Sequence, residues 1–464
     1  MTGRQTQNLG QEYKIDEASI FADRFAEEEE YNITNYIKEL SFFEDIEKPY
    51  VTAQLVCMDD IGLFEEIKIL GSEKIRFTIS SVESSVGNLS FTLELSIVSI
   101  VQTNKVGDRS EVYHINLISP HAYRDANTKV SRSYTGKLEL ISEAILKNHL
   151  DVDVDISYTG GFPSVQEPVK VLIPYISPLE SVEWLLDRAT TRIGAPFYVW
   201  QTIFDQAEGR DKLRFGSLEY MMTAPTFNEL LPLTYSAASA QSVASKDLSY
   251  QGVSVKTIVA ENIQDTLKMM HEGAIGSELG SVDTYTSQEF TKHYSIKDNI
   301  ENLERLKVIP DYANQNVYDD KQELTFAGET KSPHEWNSRH FSILTSYGTY
   351  GSINSYHDAQ DASEALNKVR SNSVKSMFNK NMIDIVIPGI TFFQAMAEGN
   401  SGVSVGDTVM IDFLNSNVDE DAGGAYNSEL SGKYLIHKCR NVFIDTKHEI
   451  VVSISKIASK GATI

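Results

Sequence analysis

The sequence has little of what stabilises small secreted domains or crosses membranes. It contains two cysteines among 464 residues, Cys57 and Cys439, and both lie in segments with a strand pattern. Neither belongs to a Cys-x-x-Cys pair or another metal-ligand spacing, so we expect buried free thiols and a reducing compartment. No run approaches the roughly 18 apolar residues of a membrane span, and the first residues lack the apolar core of a signal peptide. We therefore expect assembly in the cytoplasm and no membrane insertion.

Positive charge is also scarce. Lys and Arg number 41 and Asp and Glu number 65, which gives a formal net charge of −24. Such a balance opposes extended contact with phosphate backbones or anionic lipid, which argues against a dedicated nucleic-acid or membrane binder. An acidic wall can still face DNA that passes without being held, because like charges repel the polymer and leave it free to slide.

Enzyme motifs are incomplete. Gly402-Val403-Ser404-Val405-Gly406 fits the Gly-x-Ser-x-Gly pattern of a hydrolase nucleophile elbow, which needs a helix directly after the turn. Residues 407–413 have a strand pattern instead, so we expect a turn leading into a strand. No phosphate-binding or dinucleotide-binding glycine motif occurs, and the acidic residues around Asp419 lack the spacing of a calcium loop.

Two histidines begin like a zinc-protease helix but have the wrong spacing. His334 and His340 are six residues apart behind Pro333, whereas two ligands on one helical face must be four apart. We expect ordinary surface histidines there and no cluster among the others, which are His114, His121, His149, His271, His293, His357, His437 and His448. The sequence thus predicts no catalytic, cofactor-binding or metal-binding residues, and a protein that is not an enzyme.

Strand patterns dominate two blocks of the chain, 31–118 and, more briefly, 382–457. Apolar and polar residues alternate there with the period of half-buried strands, and turn-forming residues separate the runs. The strands expected on this basis are 50–58, 74–79 and 91–97 in the first block and 382–387, 407–413, 433–437 and 448–455 in the second. Two antiparallel barrels without catalytic motifs indicate a building block.

Helical spacing appears between the two blocks. Residues 137–150 place apolar side chains on one face, and Ser177-Pro178-Leu179-Glu180 is a capping box with proline at the first helical position. We expect that second helix to end at Gly194 and a hairpin to follow, formed by 196–204 and 213–215. Another helix is expected over 361–379, and long loops over 231–250, 311–356 and 415–430. The acidic residues 1–30 are expected to form an arm, either a solvated tail or a segment that orders on a partner surface.

Several segments follow one another in a characteristic order. Residues 33–53 hold an extended strand and a Glu-Asp-Ile…Pro-Tyr corner, 59–64 reach an aspartate and a short helical turn, and 69–75 start another strand through Gly-x-Glu-x-Ile. The later segments are 272–277 with Asp283, and 431–436 leading to 441–443. In this order they resemble the baseplate central hub proteins of contractile-tailed bacteriophages, a family related to the hub portion of type VI secretion spike proteins.

The resemblance implies a mainly β fold with α+β insertions, comprising two tube-like antiparallel β-barrels and an intermediate α+β hub domain. It divides the chain into the arm 1–30, a first barrel 31–120, the intermediate domain 121–245 with 286–372, and a second barrel 246–285 with 373–464. It further implies a homotrimer whose six barrels adapt a sixfold tail tube to a threefold central spike. The channel would pass the tape measure protein and then DNA.

The implied location is the baseplate of the virion, after assembly in the host cytoplasm. The implied partners are the central spike protein, tail tube or tube-initiator proteins, the tape measure protein and baseplate wedge proteins. Because the chain ends at Ile464, shortly after the last expected strand, we expect spike and cell-wall hydrolase to be separate proteins.

Two other interpretations remain open at the level of sequence. One is a phage or bacterial glycoside or peptidoglycan hydrolase that uses a carboxylate pair, with the barrels as binding modules. The other is a secretion-system hub, which shares the architecture of the phage hub.

Overall fold

The computed structural model describes residues 12–22, 24–25, 30–71, 73–82, 89–105, 110–161, 164, 169–187, 189–207, 212–228, 232–235, 255–259, 266–283, 287–297, 324–326, 328–345, 363–379, 382–397, 403–413 and 430–459. Its strands, in chain order, are β1 (Tyr13–Phe21), β2 (Tyr31–Asn32), β3 (Ile37–Asp45), β4 (Thr52–Asp59), β5 (Lys74–Ser81), β6 (Ser90–Lys105), β7 (Glu111–Ile118), β8 (Ser133–Gly136), β9 (Asp153–Asp155), β10 (Val169–Leu172), β11 (Phe197–Trp200), β12 (Lys212–Ser217), β13 (Leu233–Tyr235), β14 (Thr257–Val259), β15 (Gly276–Asp283), β16 (Gln288–Ser295), β17 (Leu324–Phe326), β18 (Glu329–Lys331), β19 (Arg339–Thr345), β20 (Met382–Pro388), β21 (Thr408–Phe413), β22 (Gly432–Ile444) and β23 (Lys447–Ser459).

Helices are fewer and mostly short. They are α1 (Leu63–Ile67), α2 (Pro120–Ala126), α3 (Leu138–Leu150), α4 (Pro178–Leu186), α5 (Ile203–Ala207), α6 (Leu218–Thr223), α7 (Thr266–His271), α8 (Ser363–Asn379) and α9 (Ile390–Ala397), with single 3₁₀ turns at Thr34–Tyr36, Ser157–Thr159 and Pro333–Glu335. The predicted mainly β fold with α+β insertions is confirmed.

The first barrel is formed by antiparallel strands in the order β3-β4-β7-β6-β5-β1-β2. These strands form because apolar and polar residues alternate along them, so that one face of each strand points into the core. Along β5, for example, Ile75, Phe77 and Ile79 are fully buried while the residues between them are half-exposed. Burying each such side chain contributes about 1.5–3 kcal/mol. The chain ahead of β3 returns to the first strand, where the Ile33 N–H donates to the Ala18 carbonyl at 2.7 Å.

The second barrel places β14, β20, β23 and β22 side by side, with β21 next to β22 and β13 next to β21. All its pairs are antiparallel except β13 with β21. The Val255 N–H donates to the Thr234 carbonyl at 3.0 Å, which joins the chain ahead of β14 to β13. This hydrogen bond closes the barrel.

The two barrels share one sheet and one apolar core. β22 pairs with β3, and buried side chains of both barrels form a continuous cluster in which Phe392 of α9 contacts the Phe91 ring at 5.5 Å. The intermediate region has its own core, where α3 and α4 pack beside the sheet β11-β12-β9. The α4 capping box is confirmed, since Ser177 Oγ accepts from the Glu180 N–H at 3.3 Å.

Several expected boundaries differ from the structure. The helix that begins at Pro178 ends at Leu186, well before Gly194, because a bridge between Thr190 and Pro196 turns the chain back. The hairpin of β11 with β12 is present, but Ile203–Ala207 form α5 because Glu44 and Asp205 accept the N–H groups at its start. The helix expected over 361–379 is confirmed as α8.

Part of the expected arm and loops is ordered in strands. Within 1–30, Tyr13–Phe21 form β1 and pair with β5, because buried Tyr13, Ala18 and Ile20 join the barrel core despite the acidic surroundings. Within 311–356, the described residues include β17, β18 and β19, of which β19 pairs in parallel with β15. The expected loop over 415–430 lies outside the described residues except for Leu430, and 236–250 lie outside them entirely.

Two strands pair outside the domains to which the sequence assigned them. β13 was expected in the intermediate domain but pairs with β21 of the second barrel. β15 was expected in that barrel but pairs with β16 and β19 in a separate sheet. Both strands are fixed by partners distant in sequence, which local patterns do not identify. The division into domains otherwise stays a prediction.

Candidate functional site

The two barrels repeat one topology, and their junction is the candidate functional site. The first barrel has the order β1-β5-β6-β7-β4-β3, and the second has β13-β21-β22-β23-β20-β14. Reading each list in chain order gives the same permutation, so each of these six strands has a counterpart, whereas β2, which pairs with β1, has none in the second list. A short helix follows the third of these strands in both barrels, α1 after β4 and α9 after β20. The first strands differ, because β1 is antiparallel to β5 whereas β13 is parallel to β21.

Two irregularities that the barrels share allow their strands to be aligned residue by residue. The Ile97 N–H donates to the Glu73 carbonyl and the Ile436 N–H to the Asp407 carbonyl, each at 3.0 Å. One residue further on, β6 and β22 each have a bulge against their hairpin partner. Ile97 therefore corresponds to Ile436. A shared bulge is a stronger sign of duplication than the alternation itself, since any half-buried strand alternates.

The seam is the antiparallel pairing of β22 with β3. Only the second half of β22 takes part, from Lys438 opposite Asp45 to Ile444 opposite Glu39, because its first half pairs with β21. On the inner side, the rings of Phe42 and Phe443 meet edge to face with centroids 6.0 Å apart. Backbone hydrogen bonds and aromatic packing thus fix the angle between the barrels.

The outer face of the seam is polar and carries both signs of charge. A recess of about 350 Å³ opens there, lined in part by Phe43, Lys48 and Arg440. The Arg440 guanidinium lies 5.2 Å from the Phe43 ring centroid, and Lys438 lies 3.8 Å from Asp45. Exposed ion pairs of this kind contribute at most about 1 kcal/mol, so the recess adds little to the stability of the seam.

Glu44 connects the three parts of the molecule from the inner side of the seam. It lies on β3 and is 2% exposed. One carboxylate oxygen accepts the Ile203 N–H of the intermediate region at 2.8 Å, and the other accepts the Val405 N–H of the second barrel at 3.2 Å. Burial raises the pKa of the Glu44 carboxyl to about 8, against the effect of these two N–H donors.

A buried ion pair lies close to Glu44. Arg214 Nε is 2.9 Å from Asp205 Oδ2, and both side chains are less than a tenth exposed. Thr202 supports the carboxylate by donating its N–H and hydroxyl to the same oxygen, at 3.2 and 2.8 Å. Burial opposes the charge on Arg214, but Asp205 and Asp407 nearby raise its pKa. Such a pair favours one arrangement of the surrounding residues, because separating the two groups would leave each as an uncompensated buried charge.

The residues singled out from sequence do not converge on this seam as a catalytic group. Gly402 lies outside the described residues, while Val403–Gly406 form the expected turn into a strand, β21. Gly406 has a φ of +86°, and a Cβ there would lie 2.8 Å from the Trp200 ring, so the turn requires glycine. Ser404 is fully buried, so its hydroxyl is not exposed to solvent.

The two histidines lie apart in different surroundings. His334 is buried in a 3₁₀ turn against Ser295 Oγ at 3.1 Å, so the expectation of a surface histidine was wrong there. The preceding Pro333 starts that turn, which folds inward against β16. His340 lies on β19, where its ring is exposed and bonds to Glu278 at 3.0 Å. Within the described part of the chain, no three His, Cys, Asp or Glu side chains are grouped to hold a metal.

Both cysteines are buried and free, as expected. Burial raises the pKa of the Cys57 thiol to about 12 and that of the Cys439 thiol well above its usual range. Sequence reasoning missed Glu44, although a signal exists: in Leu40-Ser41-Phe42-Phe43-Glu44, strand alternation places the carboxylate on the face of Leu40 and Phe42. A charged residue on the apolar face of a strand marks a buried polar contact.

The described helices include none that is long and apolar enough to span a membrane.

No family model matches the sequence, and no curated protein matches it. Among solved structures, the chain is similar to the tail protein from Neisseria meningitidis MC58, with 10% identity, a TM-score of 0.50 and coverage of 96% of this chain and 97% of that one. It is similar to the 43 kDa tail protein of prophage MuSo2 from Shewanella oneidensis, with 11% identity, a TM-score of 0.50 and coverage of 95% and 98%. Over nearly its whole length, the chain has the fold of these two tail proteins, which confirms at the level of fold the resemblance found in the sequence.

Proposed function

We propose that this protein is a structural component of a phage tail, and specifically the trimeric hub of a baseplate. One observation carries the proposal: a single chain holds two barrels of the same strand order, joined edge to edge through β3 and β22. Three such chains supply six similar barrels. A ring of this kind matches sixfold symmetry on one side while remaining threefold on the other.

The contacts at the junction support the stiffness that such a role would require. Glu44 accepts backbone N–H groups from the intermediate region and from the second barrel, and the pair of Arg214 with Asp205 acts on it electrostatically. If the two barrels turned freely, the six positions of the ring would not be equivalent to a sixfold partner. A shared apolar core and a buried polar contact both oppose that motion.

The proposed partners are those that such a ring would accommodate. A tail tube or tube-initiator protein would bind the sixfold side, the central spike the threefold side, and wedge proteins the periphery. The tape measure protein and then DNA would pass through the channel in the virion baseplate. We assign the outer face of the joined sheet to the channel wall, because it is continuous across the seam and carries polar groups such as Glu39, Asp45 and Arg440.

The proposal is tested by the mass and symmetry of the purified protein. Light scattering after size exclusion should give three times the chain mass of 51.9 kDa for the protein alone, or three copies of the chain per complex when the spike and tube proteins are bound. Electron microscopy of that species should show a ring with six lobes. A protein that stays monomeric with both neighbours present would overturn the proposal.

A further inference from the structure

The recess on the outer face of the seam is built by both barrels. Its floor crosses β3, β22 and β23, where paired residues lie next to one another in two rows. The first row holds Phe43, Arg440 and Val451, and the second holds Asp45 and Lys438. The turn between β3 and β4 adds Lys48. The volume of about 350 Å³ falls in the range of ligand pockets, which is about 300–1,000 Å³.

The recess concentrates positive charge in a chain whose formal net charge is −24. Three cationic side chains line it, those of Lys48, Lys438 and Arg440. Glu44 also lines it, but its carboxylate binds N–H groups on the inner side of the seam. Asp45 neutralises the cations only in part, because one of its oxygens accepts the Glu47 N–H at 3.0 Å and the other is 3.8 Å from Lys438.

The hydrogen-bond donors of these cations are only partly used. Arg440 Nη2 lies 3.2 Å from Ser41 Oγ and 3.5 Å from Glu39 Oε1, and the second distance is long for a hydrogen bond. Arg440 Nε has no acceptor in the described part of the chain. Among the same residues, Lys48 has no ion pair. Cations with unused donors at a recess open to solvent can bind an anionic group.

Carboxylate side chains of a polypeptide fit this recess better than the phosphates of duplex DNA. A duplex carries its charge along an extended backbone and is bound by many cations spread over a surface, whereas three cations meet here in one hollow. Phe43 and Val451 add apolar surface, which suits the methylene groups of a glutamate side chain. The overall charge of the protein also repels a long polyanion more strongly than a short acidic segment.

We propose that the recess binds an acidic segment of a second polypeptide through the carboxylates of that segment. The guanidinium of Arg440 supplies a planar fork of N–H donors that matches a carboxylate, and Lys48 and Lys438 supply further positive charge. The site lies within one chain. Only its position on the channel wall, where it would meet a polypeptide that enters the channel, rests on the proposed function.

Binding of a fluorescein-labelled hexaglutamate peptide to the purified protein tests the site. Fluorescence anisotropy at low salt should show saturable binding that weakens as salt screens the charges. Lys438→Gln and Arg440→Gln should each raise the Kd about tenfold, because each removes a charged hydrogen-bond donor. The matched control is Lys147→Gln on α3, outside the recess, where the lysine is 60% exposed and also pairs with an aspartate. That variant should bind the peptide like the wild type.

The outcomes separate this inference from the proposed function. The inference is wrong if hexaglutamate does not bind, if both recess variants bind it as tightly as the wild type, or if a hexaglutamine peptide binds equally well. Tighter binding of a short DNA duplex, lost in the same two variants, would show that the occupant is a nucleic acid instead. A trimeric protein that fails to bind the peptide leaves the hub proposal standing. Peptide binding by a chain that stays monomeric with the spike and tube proteins present keeps the site and refutes the hub. Each variant is first checked for the wild-type midpoint of urea unfolding.

Discussion

The two barrels have the same strand order but differ in what covers their edges and in what lies inside. Five residues separate β6 from β7 in the first barrel, whereas two separate β22 from β23 in the second. The second barrel buries His437, Cys439 and His448, while the positions matching the histidines in the first barrel are Val98 and Glu111. The duplication therefore preserves the strand order and the bulge that follows Ile97 and Ile436, while side-chain chemistry is free to diverge.

This difference indicates which features the proposed ring subunit would need. A barrel wall depends on backbone pairing, which any residue except proline can supply. The inward faces need only be apolar and of suitable volume. Two barrels can thus serve equivalent positions in a ring with little similarity in sequence, and each can be altered without the other.

Acid should affect the second barrel far more than the first, because the second holds two histidines, His437 and His448, whose pKa values are lowered by burial. Burial, with smaller effects of Lys438 and Lys256, lowers the pKa of His437 to about 4 and of His448 to about 3. In the unfolded chain, both histidines become protonated near the ordinary histidine pKa of about 6.5. The contribution of the neutral, buried histidines to the free energy of unfolding is therefore fully present above that pH and is lost as the pH falls below it. Between about pH 6.5 and about pH 4.5, the two histidines should cost about 5 kcal/mol in the free energy of unfolding.

Urea unfolding across this range measures the loss, and two variants assign it to the barrels. His448→Gln should remove about half of the pH dependence, because Gln keeps a hydrogen-bonding group but does not titrate. The matched control is His114→Gln, which changes a half-buried histidine on β7 of the first barrel. If both variants kept the full pH dependence, the proposed contrast between the barrels would be wrong.

Removing one charge of the buried pair should give the next largest effect and tests how far both barrels depend on the region between them. Asp205→Ala leaves Arg214 charged and buried, with Asp407 as the other acidic residue that acts on it. Breaking a buried pair in this way costs about 3–5 kcal/mol in the free energy of unfolding. Chemical denaturation measures it, with Asp153→Ala as the control because its pair with Lys147 is more than half exposed. That control should cost less than about 1 kcal/mol, and equal losses would contradict the role given to burial.

Local pattern predicts much of this fold because alternation and helical spacing are local. The strands around Leu55, Phe77, Leu95, Ile385 and Val452 were found from period-two alternation, and α3 and α8 from their apolar spacing. β1 was missed because its charged residues suggested a solvated arm, although Tyr13, Ala18 and Ile20 enter the core. The charged residues of this segment suggest a solvated chain, but burial of its three apolar residues makes it a strand of the barrel.

The seam could not be predicted in the same way. It joins residues 39–45 to residues 438–444, and pairing across about four hundred positions leaves no local signal. β13 and β14 have three residues each, too few for a period to appear. Glu44 is the exception, since a carboxylate on the apolar face of β3 could have been noticed from sequence alone.

Alkaline pH provides the most direct test of Glu44, with the smallest expected effect of the three. Burial raises the pKa of the Glu44 carboxyl in the folded protein to about 8. The contribution of neutral Glu44 to the free energy of unfolding is therefore fully present below the pKa of the unfolded chain and is lost as the pH rises through about 8. The wild-type protein should therefore lose about 2–3 kcal/mol between about pH 6 and about pH 9. Glu44→Gln cannot ionise and should show a flat profile in the same urea titration, although it is less stable than wild type at about pH 6. Ionisation of Glu44 would place an uncompensated charge between the two barrels, so a wild-type profile as flat as that of Glu44→Gln would mean that the carboxylate is already charged at neutral pH. The junction would then be held by two charge-assisted hydrogen bonds, to Ile203 and Val405, instead of by a neutral acid.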